Sequence, residues 1–145
     1  MVLSKFKKWL VVLVLAVSAT AFSDPTVPEL TDNQCLASVI HYEAGGEPLA
    51  GKRAVYDVVM NRARSFGQTI CEVVMAPKQF SWFPYKPMLP YTDELHAMVE
   101  RVRRHGRVLT SEKNFFSGNT PSWAASMECR VISNHKFCKE RNKIQ

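Results

Sequence analysis

The chain has 145 residues, of which 46% are hydrophobic, 19 are basic and 13 acidic, for a formal net charge of +6. That length allows one domain with a real core and not two. Lys5, Lys7 and Lys8 fall in the first 21 residues, so the remainder carries 16 basic against 13 acidic side chains, a surplus of three. A charge so mild, with no basic stripe interleaved with aromatics, excludes a nucleic-acid surface and suits work beside an anionic polymer such as a cell wall.

At the N-terminus the three lysines form a positive region, Trp9 to Val17 an apolar one, and Ala19-Thr20-Ala21 a cleavage site before Phe22. The uncharged run from Trp9 to Ser23 is 15 residues, short of the roughly 20 that a spanning helix needs. Residues 1–21 read as a secretory signal, with a releasable membrane anchor as the alternative. The protein is therefore expected to be exported, to the periplasm or the outside of the cell, and to touch the membrane only transiently. Residues 22–30, with two prolines and no periodicity, read as a linker. Residues 31–145 form the folded domain.

The stretch from Gln34 to Glu47, QCLASVIHYEAGGE, reads as a core helix. Thr31 to Gln34 fit the S/T-x-x-Q capping box, and Gly45-Gly46 can supply the left-handed residue that ends a helix. Nearly every side chain between the caps is apolar, so burial on most sides is expected. Leu36 and Ile40 share a stripe whose next position is Glu43. A carboxyl on such a stripe tends to keep its proton, the condition of a general acid near neutral pH. The alternative is a structural ion pair of Glu43 with Arg53 or Arg62.

A second helix starts at Pro48, carries Leu49, Val55, Val58, Val59 and Arg62 on its faces, and ends over Ser65–Gly67. Gly51 near its start points to a close approach between helices. Thr69 to Glu72 form another capping box, opening a short helix to about Met75. Lys78 to Tyr91 hold three prolines and five aromatics and suit neither a helix nor a central strand. Thr92 caps a long helix with a Leu95, Met98, Val99, Val102 stripe; arginines gather at its C-terminal end and Gly106 stops it. Asn114 to Phe137 read as short strands and loops ending in a hairpin. The class is α+β, mostly helical with a small C-terminal sheet.

Four cysteines, Cys35, Cys71, Cys129 and Cys138, in a short exported chain imply disulfides, with three possible pairings. One clue favours Cys129–Cys138: a two-residue turn at Ser133-Asn134 sets Ile132 against His135, Val131 against Lys136, Arg130 against Phe137, and Cys129 against Cys138. That last pair is of the non-hydrogen-bonded kind, whose spacing suits a cross-strand bridge. Cys35–Cys71 would then tie the core helix to the short one. No C-x-x-C or H-x-x-x-H spacing favours zinc, and neither a metal nor another cofactor is expected.

The aromatic segment is a candidate ligand surface, since ring faces stack on sugars. Phe80 and Phe83 read more readily as core, whereas Trp82, whose indole N–H needs a partner, is the stronger binding candidate. His135, beside the hairpin turn, either orients substrate or Glu43 or is a structural histidine. His41, two residues from Glu43, points off that face.

Three pieces of the chain resemble the SleB-type cell-wall hydrolases, the catalytic domains of spore-cortex-lytic enzymes and related phage and bacterial lysins. They are HYEAGGEPLAGKRAVYDVVMNR (His41 to Arg62), CEVVMAPKQFSW (Cys71 to Trp82) and NHKF (Asn134 to Phe137). The family pattern is E-A-R-G-E-P, a G-x-x-A-V helix ending in N-R, Q-F-S-W, and G-N-H-x-F-Y; Gly45 replaces the usual Arg, and Ser133 and Cys138 replace the usual Gly and Tyr. The resemblance implies a compact lysozyme-like fold acting on peptidoglycan, with Glu43 as catalytic acid; the protein is expected to be a monomer. The resemblance also implies substrate contacts at Glu47, Gln79, Phe80, Ser81, Trp82, His135 and Phe137, to which the aromatic segment itself adds Tyr85. The bond cut would join N-acetylmuramic acid to N-acetylglucosamine. Cleavage by a lytic transglycosylase needs one Glu, whereas a water-using glycosidase needs a second carboxylate, for which Glu47, Asp57 and Glu128 are candidates. A zinc amidase and a non-catalytic wall-binding module are the alternatives.

Overall fold

A computed structural model describes residues 29–141. The signal or anchor expected over 1–21 and most of the linker lie outside the described residues. Among these, no helix is long and apolar enough to cross a membrane. Four helices, α1 (Asp32–Ala44), α2 (Leu49–Phe66), α3 (Ile70–Met75) and α4 (Asp93–Arg104), precede the strands β1 (Asn114–Phe116), β2 (Glu128–Ile132) and β3 (His135–Lys139). A single turn of 3₁₀ helix, Ser122–Ala124, sits between β1 and β2.

The centre of the domain is α1, because its side chains from Cys35 to Ile40 are all inaccessible to solvent and α2, α3 and α4 each pack on it. Its start is only half as expected. Thr31 Oγ1 accepts the Gln34 N–H at 3.2 Å, but the Gln34 amide does not fold back; it donates instead to the Leu89 carbonyl at 3.0 Å. Two more α1 side chains hold the same proline-rich segment: Ser38 Oγ accepts from Leu89 N at 2.9 Å and the Tyr42 hydroxyl donates to the Pro87 carbonyl at 3.0 Å. A segment too rich in proline to form its own ladder is thus held by donors and acceptors from one helix.

The exit of α1 also differs from expectation. Gly45 is right-handed (φ −55°, ψ −43°) and neither it nor Gly46 adopts positive φ. What Gly45 provides is the absence of a side chain: a Cβ there would overlap the His41 carbonyl oxygen. Gly67, by contrast, ends α2 in the left-handed conformation (φ +63°). The capping box at Thr69 is complete, with Glu72 N donating to Thr69 Oγ1 and Thr69 N to Glu72 Oε2.

One face of α2 positions the chain that leads into the sheet. Asp57, buried, accepts the N–H groups of Val108 and Leu109 at 2.7 and 2.9 Å. Asn61 Nδ2 donates to the Glu112 carbonyl and Arg62 Nε to the Lys113 carbonyl. The sheet order is β1-β3-β2, all antiparallel. The hairpin register is the one the two-residue turn requires, from Ile132 opposite His135 to Cys129 opposite Cys138. β3 lies in the middle and turns His135 and Phe137 towards the helices, both buried.

Both disulfides form, Cys35–Cys71 across α1 and α3, and Cys129–Cys138 across β2 and β3. They close loops of very different length, 36 and 9 residues apart in sequence. The loop-entropy argument then gives about 4 kcal/mol for the first and about 2.5 kcal/mol for the second. Thermal unfolding of the two double-alanine variants should show the Cys35/Cys71 pair as the more destabilised; the reverse order would contradict that account.

Candidate active site

A groove of about 470 Å³ runs between the helices and the sheet. α1 contributes Glu43, α2 contributes Arg62, and the turn after α3 contributes Lys78, Gln79, Phe80 and Ser81. The opposite wall is Phe115 and Phe116 of β1 with Ser117, Asn119 and Pro121 beyond it. Lys78 sits there with φ +62°, a conformation that costs a lysine of order 1 kcal/mol and tends to cluster at functional sites.

Glu43 is partly buried, and burial is what first raises its pKa above the ordinary carboxylate value. Three neighbours act against that, in decreasing strength: the charge of His135, the indole N–H of Trp82, and the charge of Arg62. Burial wins, so the acid holds its proton to higher pH than a solvated glutamate, yet donors and cations stand ready for the carboxylate once the proton leaves. Neither of the arginines weighed as a fixed partner pairs with Glu43. Arg53 donates to the carbonyls of His105 and Gly106. Arg62 donates to Lys113 and lies over the Phe80 ring, 5.1 Å from its centroid. Burial lowers the Arg62 pKa to about 10, Glu43 partly opposing this, so it stays charged at neutral pH.

The remaining expected site residues divide. Gln79, Phe80 and Ser81 share the groove with Glu43. Trp82 is only 6% exposed, its ring packed 4.6 Å from Tyr42 and 6.0 Å from Phe83. It therefore offers no free face for stacking, and what it presents is its buried N–H, which has no hydrogen-bond partner. Phe137 is fully buried against Phe115 and is corrected from a substrate contact to a core residue. Tyr85 is 88% exposed and does not line the groove. His135 is buried, with Nδ1 2.8 Å from Glu47 Oε1. His41 is exposed and turned edge-on to Tyr42. Among the described residues no cluster of three His, Cys, Asp or Glu side chains is placed to hold a metal ion.

The β1 wall was not singled out from sequence. Its signal is the run Asn114-Phe115-Phe116 followed by Ser-Gly-Asn, aromatics leading into small polar residues. Beyond it, Trp123 stands 63% exposed with its ring 5.7 Å from that of Phe116.

Helices α1 to α4 and the terminal sheet make up the fold of SleB catalytic domains. The Bacillus cereus SleB catalytic domain superposes with a TM-score of 0.64 at 25% identity, over 74% of this chain and 89% of that one. The catalytic domain of the germination-specific lytic transglycosylase SleB of Bacillus anthracis gives 0.64 at 24% identity, over 80% and 100%. The chain belongs to the Cell Wall Hydrolase family, whose pattern it matches over residues 46–138. That match begins just after Glu43, so the place of Glu43 rests on the geometry. No curated protein sequence matches the chain.

The raised pKa of Glu43 has a consequence for stability. Any stability tied to a group whose folded pKa is raised is fully present below the unfolded value and is lost as pH rises through the folded one. Glu43→Gln removes the ionisation that causes this loss. Thermal unfolding should show the variant at least as stable as the parent near pH 8, with the difference closing below about pH 4. A variant less stable at pH 8 than at pH 4, relative to the parent, would contradict the burial of Glu43.

Proposed function

We propose that the protein is an exported lytic transglycosylase that cuts peptidoglycan glycan strands between N-acetylmuramic acid and N-acetylglucosamine, with Glu43 as its catalytic residue. The observation that carries this reading is the distribution of carboxylates. Glu43 is the one carboxyl among the described residues lining the groove. The three other candidates are engaged elsewhere: Glu47 with His135, Asp57 with two backbone N–H groups and Arg107, and Glu128 with Lys139 on the exposed edge of the hairpin. A glycosidase that uses water needs a second carboxylate roughly 5–9.5 Å from the first. A transglycosylase does not.

In the proposed cycle, Glu43 gives its proton to the glycosidic oxygen, the bond from that oxygen to C1 of the muramic acid breaks, and positive charge develops on the ring. The Glu43 carboxylate then faces His135, Arg62 and the Trp82 N–H. The C6 hydroxyl of the same sugar attacks C1 and its proton passes to Glu43, which regenerates the acid and leaves a 1,6-anhydro end. Gln79, Ser81 and Asn119 supply amide and hydroxyl groups for the sugars' polar substituents, and Phe115 and Phe116 an apolar wall. Disulfides persist in oxidising compartments, which supports export.

Mass spectrometry of digested peptidoglycan is the test. Anhydromuramic ends are expected; reducing muramic acid ends would overturn the transglycosylase reading. Glu43→Gln should lower turnover by a factor of about 10² to 10⁴ or more while sedimentation with cell walls is kept.

A further inference from the structure

Glu47 is expected from the family resemblance to meet substrate, yet its side chain is 7% exposed and does not line the Glu43 groove. Oε1 lies 2.8 Å from His135 Nδ1, a close contact that is not an aligned hydrogen bond. Oε2 has no partner at all and rests where a Cβ of residue 51 would be, so that Gly51 is the notch that admits it. A buried carboxylate oxygen left unpartnered is costly, and such a cost calls for a reason. The turn carrying Glu47 is held from behind by Lys52, whose Nζ donates to the carbonyls of Gly45 and Glu47.

The geometry points to Glu47 as a positioning residue: seated over Gly51, its carboxylate holds His135 through Nδ1 and thereby fixes the imidazole beside Glu43. The other contacts of His135 agree. Its ring is edge-on to Phe115 at 5.3 Å, and Phe115 lines the groove. It also lies 6.0 Å from Phe137 on its own strand. Around Glu43 the charged or donor groups are His135 from β3, Arg62 from α2 and Trp82 from the aromatic segment; around Glu47 they are His135, Lys52 and, in the neighbouring cavity, Arg101. His135 exerts the strongest charge influence on Glu43.

The inference rests on Glu43 being the acid, and its sign follows. Positive charge of His135 beside Glu43 favours loss of the Glu43 proton. With the Glu47 carboxylate removed or displaced, the ring is no longer held in that place, and Glu43 keeps its proton to higher pH. The alkaline limb of activity, where the acid is lost, should move upward.

The test compares pH–rate profiles of the parent, Glu47→Gln and Gly51→Ala on purified peptidoglycan, with Glu43→Gln as the reference. Gly51→Ala changes no ionisable group and raises helix propensity, so it reports on the pair even if Glu47→Gln folds poorly. Both variants are expected to lose kcat on the order of tenfold to a hundredfold at neutral pH with little change in KM, and to shift the alkaline limb to higher pH. Limbs that stay at the parent's position, or a KM rise with kcat kept, would overturn the positioning role while leaving the acid assignment intact. Activity surviving in Glu43→Gln would instead overturn the reading on which it rests.

Discussion

The whole arrangement depends on one carboxyl group being carried into the interior by a helix that has almost no solvated face. α1 is inaccessible from Cys35 to Ile40, and Glu43 lies one turn further on, where the helix emerges under the groove. Withdrawal from water favours the protonated acid. The same position brings groups from three other elements against it, so the Glu43 anion meets positive charge and an N–H donor. A catalytic acid needs both properties, and burial without those neighbours would supply only the first.

The packing around α1 serves that placement. Gln34, Ser38 and Tyr42, at successive turns of one face, hold the proline-rich segment, and this fixes Trp82 behind Glu43. α2 holds the chain into β1 through Asp57, Asn61 and Arg62, and so sets the far wall of the groove. The cross-strand disulfide and the central position of β3 fix His135 from the third side. The likeness to SleB catalytic domains and membership of the Cell Wall Hydrolase family give this geometry its chemical context.

Features governed by local chemistry were legible in the sequence. The Thr69 capping box, the helix over 49–66, the hairpin register and the Cys129–Cys138 bridge depend on neighbours in the chain or on period-two pairing, and all form as expected; Cys35–Cys71, 36 residues apart, followed as the pair left over. Features governed by tertiary competition were not. The Gln34 amide had a local partner to hand and took the Leu89 carbonyl instead. Gly45 was read for its backbone freedom and is needed for its lack of a side chain. Gly51, expected to admit a helix, admits a carboxylate. Trp82 was placed at a ligand surface by residue type and Phe137 by the family resemblance, but burial of a large ring is decided by what packs on it, which no local pattern records. The β1 wall was missed for the same reason: two phenylalanines in a three-residue strand look alike whether they face a core or a groove.

The most direct test is to titrate Glu43 itself, by carbon NMR of glutamate-labelled protein with Glu43→Gln identifying the signal. A carboxyl that titrates above the ordinary glutamate value of about 4.3 is the predicted result. Titration at or below that value would show Glu43 ionised across the neutral range and would contradict its proposed role as the acid.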